Sequence, residues 1–361
     1  MRVLVVTVVH DPEDARIRHR QIAALRAAGH EVILAAPFRA YERDRPIAFE
    51  SIDLPRAQGK RRVAAVRAAR KLLRERGRGA DIVLLHDPEL LFVATGVKLP
   101  GLVWDVHENT AAAMEMKAWI PRPVRPAARS LVHALEHSAE RMAWLILAEE
   151  SYAERFQRSH PVVPNSALSP NGAPPPPDDD RVVYLGRLTQ ARGALDMIEL
   201  GRHLPPDVIV ELIGNADADC REAVEAAHEA GHVRWRGFVP NDEALPTLRA
   251  ALAGLSLLHD QPNYAHSRPT KIMEYMAHGV PIITTPNPSS ADLVARHDCG
   301  LVVPFGDPGA VLTAALRLRE DVELRRRLAA NGRDAATRLY SWDRDAVAFV
   351  DLLEQWTRTA A

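Results

Sequence analysis

Residues 267–285, SRPTKIMEYMAHGVPIITT, set a proline, a lysine and a glutamate at the head of a predicted helix that leads into a strand. Pro269 suits a first helical turn, where its missing N–H would be unpaired anyway. Gly279 suits the position just past the helix end. The free N–H groups and positive dipole end of such a helix attract an anion, and a nucleotide diphosphate fits that description. Glu274 falls one turn inside, where its carboxylate can accept hydrogen bonds from both hydroxyls of a ribose. Taken alone, Glu274 would pass for an exposed helix acid.

It has company. Tyr184-Leu-Gly-Arg-Leu188 ends a predicted strand with Gly186 and Arg187, and Arg192-Gly193 opens the next helix. Two arginines at the carboxyl end of a strand can neutralise a leaving diphosphate without a metal. Other chemistries find less support. No G-x-G-x-x-G follows a strand and no G-x-x-x-x-G-K-[ST] occurs, which removes the usual dinucleotide and P-loop signals. His133-Ala-Leu-Glu136-His137 matches a zinc-peptidase pattern and would put two histidines on one helix face. A charged, solvated helix accounts for it better, since five-residue matches arise by chance among fifteen histidines.

The elements that must position these residues follow from the apolar pattern. In the first half, strands are predicted at 2–8, 31–36, 81–85, 101–106 and 144–148, with an amphipathic helix over 15–28 that buries Ile17, Ala24, Leu25 and Ala28 and stops at Gly29. In the second half, strands are predicted at 181–186, 208–214, 233–238, 254–260, 281–285 and 301–304, and helical pattern runs from about 322 to 357. Short apolar strands alternating with helices describe parallel sheets covered on both faces. Between the halves lies SALSPNGAPPPPDDD at 166–180, read as a stiff linker because four consecutive prolines fit neither helix nor central strand. The expected fold class is therefore α/β, with two Rossmann-like domains at 1–166 and 181–340.

Bulk properties narrow the function classes. The chain has 361 residues, 47% hydrophobic and 26% charged, with a formal net charge of −1, so no global field points to nucleic acid. Cys220 and Cys299 are far apart and form no C-x-x-C pair, which suits a reducing compartment. No secretory signal or membrane span stands out, and a cytoplasmic location is expected. Residues 56–78 hold ten Lys/Arg against Glu75 alone, with Val63, Val66, Ala69, Leu72 and Leu73 at helical spacing. Weak peripheral contact with an anionic membrane is one use of such a helix; covering its own sheet is the other, and the favoured one.

Together, Gly186-Arg187-Leu188 with Arg192-Gly193, Trp235-Arg-Gly-Phe-Val239 and the 267–285 stretch resemble the family 4 retaining glycosyltransferases of the GT-B fold (glycosyltransferase group 1). Asp14-Ala-Arg16-Ile17, Gly29-His30-Glu31-Val32, His86-Asp87-Pro88-Glu89, Asp105-Val-His107-Glu108 and Ser341-Trp342 are similar to segments of the same family. The resemblance implies two facing domains with a cleft between them and a last helix, 341–361, returning to the first domain. It implies transfer of a hexose-type sugar from a nucleotide diphosphate sugar, UDP being the favoured carrier, with retention and without a divalent metal or other cofactor. Arg187 and Arg192 would grip the diphosphate, with Gly186, Thr270 and Lys271 beside it; Glu274 would hold the ribose and Val239 would lie by the base. His107 would approach the donor sugar, and Asp14 and Arg16 would face an acceptor that is a sugar, a glycolipid or a small metabolite. One departure matters. Eight residues before Glu274, where the family places a sugar-binding glutamate, this chain has His266. His266 is the expected substitute contact, and a non-catalytic nucleotide-sugar-binding or partner protein of the same fold is the alternative.

Overall fold

The computed structural model describes residues 1–107, 125–170, 172–178, 180–261, 264 and 270–360, apart from the side chains of 125–129, 131–133, 135 and 360. The chain divides into two units, Met1–Asn165 with Arg344–Ala361, and Ser166–Asp343.

The first unit is built on β1 (Arg2–Val6), β2 (Glu31–Ala36), β3 (Glu50–Asp53), β4 (Ile82–Leu85), β5 (Leu102–Val106) and β6 (Trp144–Leu147). All are parallel, in the order β3-β2-β1-β4-β5-β6. The central strands are buried on both faces, with Val3–Val6 and Ile82–Leu85 fully enclosed, and each such side chain contributes roughly 1.5–3 kcal/mol. β3 escaped the sequence pattern because its residues, ESID, alternate weakly and sit at a half-exposed sheet edge.

Two helices differ from expectation in ways that matter. Residues 17–22 form a π-helical turn that continues as the α-helix Ala23–Ala27, so Ile17, Ile22 and Leu25 are buried and Ala28 is exposed. The wider turn begins directly after the loop that carries Asp14 and Arg16, a common setting for such insertions. In the helix Arg62–Arg76, Ala65, Ala69, Leu72 and Leu73 join the sheet's core while Val63 is 57% exposed. The apolar stripe is thus used in covering the sheet, and Val63 is not part of it. Within the same unit, Trp356 of the helix Trp342–Ala360 stacks on Trp144 with ring centroids 5.2 Å apart, and Phe349 and Leu353 are fully buried.

The second unit holds β7 (Arg181–Leu185), β8 (Ile209–Ile213), β9 (Val233–Trp235), β10 (Ala253–Ser256), β11 (Ile282–Thr284) and β12 (Gly300–Val302), parallel and ordered β12-β11-β10-β7-β8-β9. Counted from its own first strand, this is the order of the first unit. The proline-rich segment clusters with the second unit: the Ala167 N–H donates to the Tyr340 carbonyl, its carbonyl accepts from Trp342, and the Asp178 N–H donates to Ala250. Among the described residues no helix is long and apolar enough to cross a membrane.

Candidate functional site

In sheets of this order ligands gather beyond the carboxyl ends of the strands, where the connections diverge to opposite sides. In the first unit that point lies between β1 and β4, and titratable side chains converge there. Asp105, next to last in β5, is fully buried and accepts from Arg16 at both oxygens, 2.7 Å from Nε and 2.6 Å from Nη2. Arg16 Nη1 donates to the Val163 carbonyl at 3.0 Å and to Asn165 Oδ1 at 2.9 Å. The guanidinium is thus consumed inside the unit, 3% exposed, and it positions Asp105 rather than meeting an acceptor as expected. Asp14 accepts from the N–H groups of Arg16 and Ile17, which fixes the start of the helical turn.

His107 follows β5 and lies with Nδ1 3.2 Å from Asp105 Oδ2 and Nε2 3.1 Å from His10 Nε2. His10 Nε2 is also 3.3 Å from Asp87 Oδ1, and the Asp87 carboxylate accepts from Thr7 Oγ1 and from the Val8 and Val9 N–H groups. His86, fully enclosed, brings Nδ1 within 3.2 Å of the same Asp105 oxygen. Burial opposes charge on His107, but its bond to Asp105 prevails and raises its pKa to about 9. For His86 burial prevails and its pKa is lowered. Burial works against the Asp105 carboxylate too, yet Arg16 holds it well below the usual carboxylate range. Burial likewise opposes the Asp14 anion, and His10, His107, the Ile17 N–H and His86 together lower its pKa.

His86, Asp105 and His107 bring potential ligand atoms within 4.8 Å of one another. Both Asp105 oxygens are already bonded to a buried cation, so a metal ion would sit against the Arg16 charge; the donor set does not fit one. In the H-x-x-E-H segment, Glu136 is buried and paired with Arg155, which is an ion-pair role, and the His133 side chain lies outside the described residues.

In the second unit the connections diverge between β7 and β10. Gly186, at φ +133°, ends β7, and Gly214, at φ +142°, ends β8. A Cβ on Gly214 would stand 2.0 Å from the Gly186 carbonyl oxygen, so only glycine lets these loops cross. The helix Thr270–Ala277 follows β10 and buries Lys271, Glu274 and Tyr275. Tyr275 Oη accepts from the Leu185 N–H and donates to the Leu255 carbonyl, which ties the helix to β7 and β10. Glu274 is 5% exposed, which rules out a solvated helix acid.

Lys271 Nζ lies 3.8 Å from the centroid of the Tyr184 ring and would be 3.4 Å from a Cβ on Gly186. It is buried with no hydrogen-bond partner among the described residues. Burial, assisted by the Arg192 charge, depresses its pKa well below the ordinary value. The Tyr184 hydroxyl donates to the Arg187 carbonyl at 2.8 Å and is also reached by Arg192; burial pushes its pKa to about 12. Gly186, Lys271, Arg192 and Glu274 therefore converge, with half-buried Thr270 at the helix start. Arg187 does not join them through its guanidinium. That group is bonded to both oxygens of Asp217, a partner the sequence pattern did not reveal, and the pair raises the arginine's pKa. Val239 is half-buried in the loop after β9. His266, Glu108 and Pro269 lie outside the described residues.

Residues 168–335 match the family described as glycosyl transferases group 1. A D-inositol 3-phosphate glycosyltransferase of Xylanimonas cellulosilytica is 29% identical over 187 residues, 50% of this chain and 43% of that protein. The chain thus spans less than half the length of the curated relative it matches. Two similar solved structures are sucrose-phosphate synthase from Thermosynechococcus elongatus (TM-score 0.72, 18% identity, 99% of both chains) and Anabaena HepE in complex with UDP-glucose (TM-score 0.69, 14% identity, 98% of this chain and 100% of that one). The fold is that of these GT-B proteins, with two Rossmann-like domains.

Proposed function

We propose that this chain, whose second unit belongs to the group 1 glycosyltransferases, moves a hexose from a UDP-sugar to an acceptor with retention and without a divalent metal. The observation that carries the donor assignment is Lys271: a buried amino group without a hydrogen-bond partner among the described residues, set at a strand-end glycine beside Arg192. Leaving such a group unpaired is costly unless a ligand anion completes it. A diphosphate bridging Lys271, Arg192 and the start of the helix would do so, with Glu274 holding the ribose and Val239 beside the base. As the anomeric C–O bond breaks, its electron pair passes to the diphosphate, where these cations stabilise the charge. The acceptor oxygen bonds to the anomeric carbon and gives up its proton to the departing diphosphate oxygen. By the family resemblance His107, fixed by Asp105 and His10, would contact the donor sugar, and His266 would contact it in place of the family's glutamate. HepE, crystallised with UDP-glucose, supports UDP as the carrier.

Thermal stabilisation by UDP, GDP and dTDP, with and without EDTA, on wild type and Glu274→Ala tests the donor site. Selective stabilisation by UDP, indifferent to EDTA and weakened in the variant, is expected; no shift with any nucleotide would sink the assignment. The Arg187–Asp217 pair favours a second reading, a nucleotide-sugar-binding protein that does no transfer. Anomeric analysis of product from UDP-glucose separates the two.

A further inference from the structure

We propose that a cationic cavity at the carboxyl ends of β2 and β3 binds a phosphate group carried by the acceptor, which rests on the glycosyltransferase reading above. The cavity, about 560 Å³, is lined by Arg39, Asp53, Arg56, Arg61 and Ala64 among others. A neighbouring hollow of about 330 Å³ shares Ala40, Arg56 and Arg61 and adds Gln58 and Lys60. The one acid lining the larger cavity, Asp53, is already engaged, accepting from the Arg39 N–H at 3.0 Å with Arg39 Nε 3.6 Å away. Arg56, Arg61 and Lys60 have no carboxylate partner among the described residues. Ala64 stands in the first turn of the helix Arg62–Arg76, and that turn contains no acid, so the positive end of the helix dipole meets the same cavity.

The cavity is built on rigid segments. Leu54 and Ala57 are buried, the Leu54 N–H donates to the Ala36 carbonyl, and the Ala57 N–H donates to Val8. Between them Arg56 is half-buried, with its guanidinium carbon 4.1 Å from the Tyr41 ring centroid. The Tyr41 hydroxyl in turn donates to the Val9 carbonyl at 2.6 Å. Val9 is the residue before His10, so the cation is fixed beside the loop that touches His107. A phosphate held by Arg56 and Arg61 would leave the rest of an acceptor next to His10 and His107. Guanidinium forks match a phosphate's oxygens, and several cations around one cavity fit a dianion better than a carboxylate. A net charge of −1 over the whole chain argues against an extended polyanion.

The test is calorimetric titration of the full chain with glucose 6-phosphate and with glucose, UDP being present in excess to occupy the donor site. Binding of glucose 6-phosphate but not glucose is expected, weakened tenfold or more in Arg56→Gln/Arg61→Gln and weakened less in Arg56→Lys/Arg61→Lys, which keeps the charge but not the fork. UDP affinity should be unchanged in both variants, so loss of UDP binding by wild type would count against the donor site and not against this cavity. Flotation with phosphatidylglycerol or phosphatidylcholine vesicles distinguishes the source of the phosphate. Arginine-dependent retention on phosphatidylglycerol alone would assign the cavity to a lipid-linked acceptor, and arginine-dependent binding of glucose 6-phosphate to a soluble one. If neither probe binds, or the glutamine variant binds both as wild type does, the proposal is wrong.

Discussion

The guanidinium of Arg16 closes on both carboxylate oxygens of Asp105 although 89 residues separate them, and His107 lies against the same carboxylate. One buried pair thereby fixes the anion that fixes the histidine. Replacing Asp105 with Asn would leave Arg16 buried without its counter-ion, which costs about 3–5 kcal/mol. Urea unfolding should report a loss of that order, and the His107 resonance should titrate well below pH 9.

The two histidines beside Asp105 should act oppositely on stability. His107 has its pKa raised from 6.5 to about 9, so its contribution is fully present below pH 6.5 and is lost as pH rises toward 9. His86 has its pKa lowered, so its neutral form is favoured above pH 6.5 and that contribution is lost as pH falls. His107→Gln should flatten the alkaline side of the stability profile, and His86→Gln the acid side. Identical profiles for both variants would contradict the assignment.

Much of this was legible in the chain. Eleven of the twelve strands among the described residues were marked by short apolar runs, their ends shifted by a few residues, because a strand buried on both faces needs little else. The glycines at 186 and 193 and the helix after residue 269 were readable from local chemistry. Partnership was not. Nothing near Arg187 announces Asp217, and His10, His86 and Asp87 acquire their meaning only when β1, β4 and β5 lie side by side. Asp105 left one local signal, an acid inside the apolar strand LVWDV, which must find a cation once buried.

Gly214→Ala tests the crossing of the strand-end loops. The new Cβ would meet the Gly186 carbonyl at 2.0 Å, and backbone cannot swing aside as a side-chain tip can. Destabilisation of about 1–3 kcal/mol from overpacking alone is expected, with strain at φ +142° added. UDP binding should weaken with it, because Gly186 moves. Gly231→Ala, where nothing lies within 4 Å, is the control for backbone strain without a clash.

Lys271→Met should separate stability from binding. Methionine fills the same space without a charge, so the ligand-free protein should gain about 1–4 kcal/mol at neutral pH. The depressed pKa gives the sign: the cost of charging Lys271 is greatest at low pH and disappears as pH approaches the ordinary 10.5. The advantage of the variant in thermal melts should therefore shrink with rising pH. Its affinity for UDP should fall at least tenfold, and a variant both more stable and equally good at binding UDP would remove Lys271 from the donor site.

Asp217→Asn addresses what the Arg187 pair is for. The Arg187 side chain is 65% exposed and that of Asp217 30%, so the pair itself is worth only about 0–1 kcal/mol and its loss should barely move the melting temperature. The effect on ligand binding should be larger. With Asp217 neutral, Arg187 is released at the end of β7 beside Gly186, near enough in the chain to turn toward a diphosphate. UDP affinity should rise severalfold and become more sensitive to salt, since one more exposed cation would then contribute. Arg187→Gln should weaken UDP in wild type and cancel the gain in the Asp217→Asn background. If Arg187→Gln changes nothing in either, Arg187 serves only to pin the loop of Asp217, and Lys271 and Arg192 hold the diphosphate alone.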